Sequence, residues 1–125
     1  MDRASPHLPQ AAAIDTYGKG GFRFAGMSHR GSLLCLPDGI WPSPVTRPAE
    51  IDAAALALVL DAEPKIDHCL IGTGHDPWLM PRDLAERFAE RGIAVETMTT
   101  GAAVRTYNIL VAERRRIAAL LIAVA

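Results

Sequence analysis

The stretch that decides the fold is Ile66-Asp-His-Cys-Leu-Ile-Gly-Thr-Gly-His-Asp-Pro-Trp78. An apolar run ends at Gly72-Thr73-Gly74 and opens into a polar loop, as a buried strand does when it leaves an open α/β sheet. Sites in such sheets gather at the strand ends that face a following helix, so this loop is the leading candidate for a functional edge.

Outward from that strand, the flanking segments alternate. Upstream, Pro48 suits the first turn of a helix over AEIDAAALALVLDA, with Glu50 and Asp52 near its positive end and Ile51, Ala55, Leu58 and Val59 as its apolar stripe. Downstream, Pro81 opens a helix whose apolar side is Leu84, Ala85 and Phe88, and Gly92 stops it. Residues 93–98 alternate as a strand. Thr99-Thr100-Gly101 then supplies an N-cap for a helix over AAVRTYNILVAERR. The last nine residues, IAALLIAVA, fit either a continued helix or a central strand by periodicity. The Arg114-Arg115-Arg116 break favours strand, because a helix reaching residue 125 would be apolar all round.

Ahead of this βα alternation, glycines at 18, 20, 21, 26, 31 and 39 punctuate short apolar runs, FRFAGM, SLLCL and IWPSPV, which suggests hairpins. Phe22 and Phe24, with Met27, share a face, and Arg23 and Ala25 lie on the other. Residues 1–13, with two prolines and no periodicity, read as a flexible N-terminal arm, and 14–125 as one α/β domain with a mixed sheet.

A chain of 125 residues with half of them apolar buries roughly two-thirds of its unfolded surface in one core. A net charge of −1 gives no electrostatic case for nucleic acid. No secretion signal or membrane-length apolar run is present, so a soluble, cytoplasmic protein without direct membrane insertion is expected. Cys35 and Cys69 sit within apolar runs and read as buried free thiols in a reducing compartment. No His/Cys spacing matches a metal site, and no cofactor is expected.

Three stretches in order, LIGTG at 70–74, MTTGAAVRTYNIL at 98–110 and ERRRIAALLI at 113–122, resemble the Mth938-like family, formerly a domain of unknown function. That family includes the mitochondrial complex I assembly factor 3 branch. The likeness covers about residues 14–124. It implies a three-layer α/β fold with a central mixed sheet, N-terminal short strands and flanking helices, and it supports a C-terminal strand. The resemblance carries no established catalytic activity or cofactor. It implies a non-enzymatic interaction or assembly role with protein partners, subunits of membrane complexes among them, and a second copy of the chain stays open as a partner. One departure is Arg114, where the family often has glycine.

The candidate site comprises Gly72, Thr73, Gly74, His75, Thr100, Arg105, Tyr107 and Asn108. Two readings stand for it. In the first, the glycine loop is a tight turn, Arg105 pairs with Glu96 or Asp76, and Tyr107 and Asn108 tie their helix to the loop backbone. In the second, a small-molecule or anion-binding domain, conceivably an enzyme, uses the loop amides and the N-terminus of the 101–114 helix. Arg105 is then the anion clamp and His75 the proton donor. Adjacent His75 and Asp76 diverge and form no dyad by position.

Overall fold

The computed structural model describes residues 6–125. Eight strands and three helices follow one another: β1 (Thr16–Gly18), β2 (Gly21–Phe24), β3 (Met27–Arg30), β4 (Ser32–Leu36), β5 (Gly39–Ser43), α1 (Ala57–Leu60), β6 (His68–Gly72), α2 (Arg82–Arg91), β7 (Ala94–Met98), α3 (Thr100–Ala112) and β8 (Ile117–Leu121). A five-stranded sheet runs in the order β5-β4-β8-β6-β7, and β1-β2-β3 form a second, antiparallel sheet. β8 is parallel to β6 and antiparallel to β4, which makes the large sheet mixed.

The C-terminal run is a central strand because each of its faces has its own core to fill. Ile117, Ala119 and Leu121 join Leu33, Cys35, Leu70, Phe22, Phe24 and Tyr107 under the small sheet and α3. Ala118, Leu120 and Ile122 join Leu34, Cys69, Ile71, Leu84 and Phe88 under α1 and α2. A strand buried on both sides shows no polar alternation, which is why its pattern matched a greasy helix equally well. The result is three layers: α1 and α2, the large sheet, and α3 beside the small sheet.

Both hairpins of the small sheet turn in two residues. Lys19-Gly20 and Ala25-Gly26 all have positive φ, as type I′ turns demand, and glycine supplies the second position of each without strain. Phe22 and Phe24 point into the core and Arg23 to solvent, as their alternation predicts.

The expected helix from Pro48 is broken. A 3-10 turn at Pro48–Glu50 gives way to extended Ile51, and α-helix resumes only at Ala57–Leu60. The Asp52 carboxylate accepts the Ala55 amide at 2.9 Å, holding a local turn that competes with helix. Ile51, Leu56, Val59 and Leu60 face inward, displacing the stripe read through Ala55 and Leu58, because an alanine-rich run sets no helical phase of its own. From α2, Arg91 then donates to the carbonyls of Leu60 and Ala62 at 2.8 and 2.9 Å.

Part of the arm expected over 1–13 is docked: Leu8 bridges Ile40 in antiparallel fashion and covers the free edge of β5. Residues 1–5 of that arm lie outside the described residues. Among the described residues, no helix is long and apolar enough to cross a membrane.

Candidate functional site

The end of β6 and the start of α3 meet at backbone distance. A Cβ on Gly72 would lie 3.0 Å from Thr100 Cα and 3.1 Å from Ala103 Cβ, so glycine is what lets the helix approach the strand. The glycine-capped strand and the Thr-Tyr-Asn helix therefore lie side by side.

Their polar groups are spent on each other. The Thr73 amide donates to the Met98 carbonyl (2.8 Å), and the Gly74 amide donates to Thr100 Oγ1 (2.9 Å). Thr100 Oγ1 in turn donates to the Ile122 carbonyl (2.6 Å), and Thr73 Oγ1 donates to the Asp76 carbonyl (2.7 Å). Thr100 is fully buried and Thr73 nearly so, which makes these bonds obligatory. Thr99 caps α3 through its side chain, accepting the Ala102 amide at 3.3 Å. The loop amides that an anion cradle would use are therefore engaged inside the protein.

Beyond Gly74 the chain turns outward. His75, Asp76 and Pro77 are exposed, Leu79 is 93% exposed, and Trp78 is half-buried against the α1–α2 core. A shallow cavity of about 300 Å³ opens between this loop and the end of β7, with His75, Asp76, Trp78, Thr97 and Thr99 in its lining. Arg105 is not in that lining; it stands exposed on α3 and, among the described residues, in no ion pair. Among the described residues, neither pairing expected for Arg105, with Glu96 or with Asp76, is formed; Glu96 instead meets His68 Nε2 at 2.9 Å.

Asn108 and Tyr107 face the other way, toward the small sheet. Asn108 accepts the Ile14 amide on Oδ1 and donates to the Ile14 carbonyl from Nδ2, both at 2.8 Å, as a neighbouring strand would. The tie expected to the 72–78 loop backbone is not made: Asn108 holds the helix to Ile14 instead. Tyr107 is wholly buried, and its hydroxyl makes no hydrogen bond of good geometry; the Cys35 thiol and the Ala12 backbone are the polar groups acting on it. Burial first, then the Cys35 sulfur, push its pKa up. Burial also pushes the Cys35 and Cys69 thiols up to about 12, so neither is a nucleophile near neutral pH. The eight candidate residues thus divide into a closed corner (Gly72, Thr73, Gly74, Thr100), a solvent loop (His75), a solvent helix face (Arg105) and a buried strut (Tyr107, Asn108). Among the described residues, no group of three or more His, Cys, Asp or Glu side chains could hold a metal ion.

A larger cleft, about 550 Å³, opens elsewhere, on the small sheet, with Lys19, Arg23 and Arg30 in its lining. The signal for it in the sequence is a stretch, residues 16–37, that holds three cations and no carboxylate.

The layering, with a central mixed sheet between helices and a small antiparallel sheet, is that of a Mth938-like domain. A solved Bordetella pertussis protein described by that term superimposes with a TM-score of 0.80 at 25% identity, over 98% of this chain and 92% of that one. The chain belongs to the family described as "Protein of unknown function (DUF498/DUF598)", which matches residues 14–122. An uncharacterised Rhodobacter capsulatus protein is 36% identical over 98% of this chain and 93% of its own length. NADH dehydrogenase (ubiquinone) 1 alpha subcomplex assembly factor 3 of Mus musculus is 32% identical over 92% of this chain. The chain spans 62% of that factor's length. A Bartonella henselae structure, described as an outer membrane protein, superimposes with a TM-score of 0.90 at 48% identity, over 95% of this chain and all of that one.

Proposed function

We propose that this protein is a non-enzymatic assembly module that binds protein subunits of a respiratory membrane complex while that complex is being built. The observation that carries the reading is the likeness, over 92% of the chain, to a protein named as a complex I assembly factor. The candidate site is consistent with it: the buried hydroxyls and loop amides at the β6–α3 corner are used to hold strand to helix. Of Arg105 and His75, the two groups a ligand-binding or catalytic reading would need together, only His75 lines the cavity beside the 72–78 loop. The membrane contact then comes from the partner, and the module itself works from the cytoplasmic side.

The test is deletion of the gene in the native host, with native-gel quantification of NADH dehydrogenase, joined to affinity capture of the tagged full chain from solubilised membranes. The expected result is less mature complex and enrichment of its subunits with the tagged chain. Unchanged complex levels, with no subunit enriched, would overturn the proposal.

A further inference from the structure

The small sheet carries positive charge with no carboxylate among its own residues. Residues 16–30 hold Lys19, Arg23 and Arg30 and no carboxylate, in a protein whose net charge is −1. All three side chains are exposed, and among the described residues none of them is in an ion pair. Like charges are gathered here without internal compensation.

Their placement follows from the register. Arg23 lies opposite Ser28 and Gly21 opposite Arg30, so Arg23 and Arg30 are diagonal neighbours on the outer face of the β2–β3 hairpin. Diagonal positions across an antiparallel pair stand ~7–8 Å apart. The Arg23 guanidinium is held across the hairpin, donating from Nη1 to Ser28 Oγ at 2.6 Å, and its other N–H groups remain free. Between the two arginines, Gly21 contributes no side chain, and a Cβ there would run into the His29 carbonyl oxygen. Lys19, at the tip of the neighbouring turn, extends the positive lane.

Two cations borne on strand positions at this separation match one kind of acidic ligand. In an extended chain, side chains two residues apart leave the same face about 6.6 Å apart. We infer that the cleft over β1–β3 docks an extended acidic segment of a partner protein, whose carboxylates at alternate positions meet Arg23 and Arg30, with Lys19 engaging a further one. Arginine suits the task because its planar donor fork takes a carboxylate through two hydrogen bonds. The inference rests on the protein-binding reading above and assigns it a surface away from the β6–α3 corner.

The probe is a fluorescein-labelled octapeptide of alternating Glu and Thr, titrated with the full chain at low salt and followed by anisotropy. A peptide of the same composition with its glutamates in adjacent pairs, inorganic phosphate and an oligouridylate are titrated alongside. The expected result is saturable binding of the alternating peptide, weaker at physiological salt. The paired variant Arg23→Gln/Arg30→Gln should weaken it by at least about tenfold, as loss of two charge-assisted contacts requires. A variant of equal charge change on α2, Arg82→Gln/Arg87→Gln, should leave it within about twofold. Equal binding of the paired-glutamate peptide, tighter binding of the oligouridylate, displacement by stoichiometric phosphate, or no effect of the double arginine change would each overturn the inference. Should that double variant melt early, Arg30→Gln alone decides by the same measurement. Peptide binding alongside normal complex levels in the deletion strain would retain the cleft and remove the assembly role. Complex levels that depend on the protein, with no peptide binding, would do the reverse.

Discussion

Replacing Thr100 by valine tests whether the β6–α3 corner is held by its buried hydroxyl. Valine has nearly the same shape, so the change leaves no cavity and isolates the polar term. Two partners lose their bond together: the Gly74 amide, which donates to Oγ1 at 2.9 Å, and the Ile122 carbonyl, which accepts from it at 2.6 Å. Thr100 is fully buried, so water does not replace either bond. Each stranded polar group costs about 1–3 kcal/mol, and the pair should cost roughly 2–5 kcal/mol, a large share of the ~5–15 kcal/mol that holds a domain of this size. Thr100→Ser keeps both hydrogen bonds and gives up one methyl, for about 1 kcal/mol. The assay is urea unfolding of both variants, with the m-value unchanged from wild type. A valine variant no less stable than the serine variant would refute the reasoning, because the corner would then be held by shape alone.

Arg114 sits at φ 59°, where a side chain strains the backbone by about 1–2 kcal/mol, and Arg114→Gly should stabilise the protein by about 0.5–1 kcal/mol after the glycine's greater unfolded-state entropy is subtracted, read from the same urea curves. Asn108→Ala strands the amide and carbonyl of Ile14; the expected loss is about 1–3 kcal/mol, with faster hydrogen exchange at the Ile14 amide while the Cys69–Ile71 amides stay protected. Cys35 and Cys69 should both be silent toward a thiol reagent at pH 8 in the native state and both react in guanidinium. The same thiols set an alkaline limit: folded, they stay neutral up to about 12, whereas unfolded they ionise near 9, so stability present below 9 falls as pH rises from there toward 12, as pH-dependent melting would record.

Most of the layered architecture could be read from the chain because its signals are local. Pro81, Leu84, Phe88 and Gly92 delimit α2, Thr99 caps α3, and the glycines mark the hairpins. Where tertiary partners decide, local reading loses its grip. The Ala-rich run after Asp52 carries no phase, so its inward face, Leu56 and Leu60, emerges only when the sheet supplies the surface to cover. Asn108 is polar in an apolar helix and so demanded a partner, yet Ile14 lies 94 residues away in sequence. Arg114 adopts a positive φ, the conformation that favours glycine, and an arginine there gives no local signal of it. Of the candidate site, the adjacency of Gly72 and Thr100 was legible, but the exposure of Arg105 on α3 was not, since helix phase alone does not say which carboxylates lie within reach.

The strand order bears on how the chain is made. Among the described residues, β8 alone joins the β4–β5 hairpin to the β6–β7 pair, although it follows both in sequence. Until β8 is in place, neither face of the large sheet has its central strand, and the hairpin and the pair stay two unjoined halves. A chain cut between Glu113 and Ile117 would keep all three α-helices and yet lack the plank joining the two halves, and such a fragment should be cleared by proteolysis instead of persisting as a partial domain.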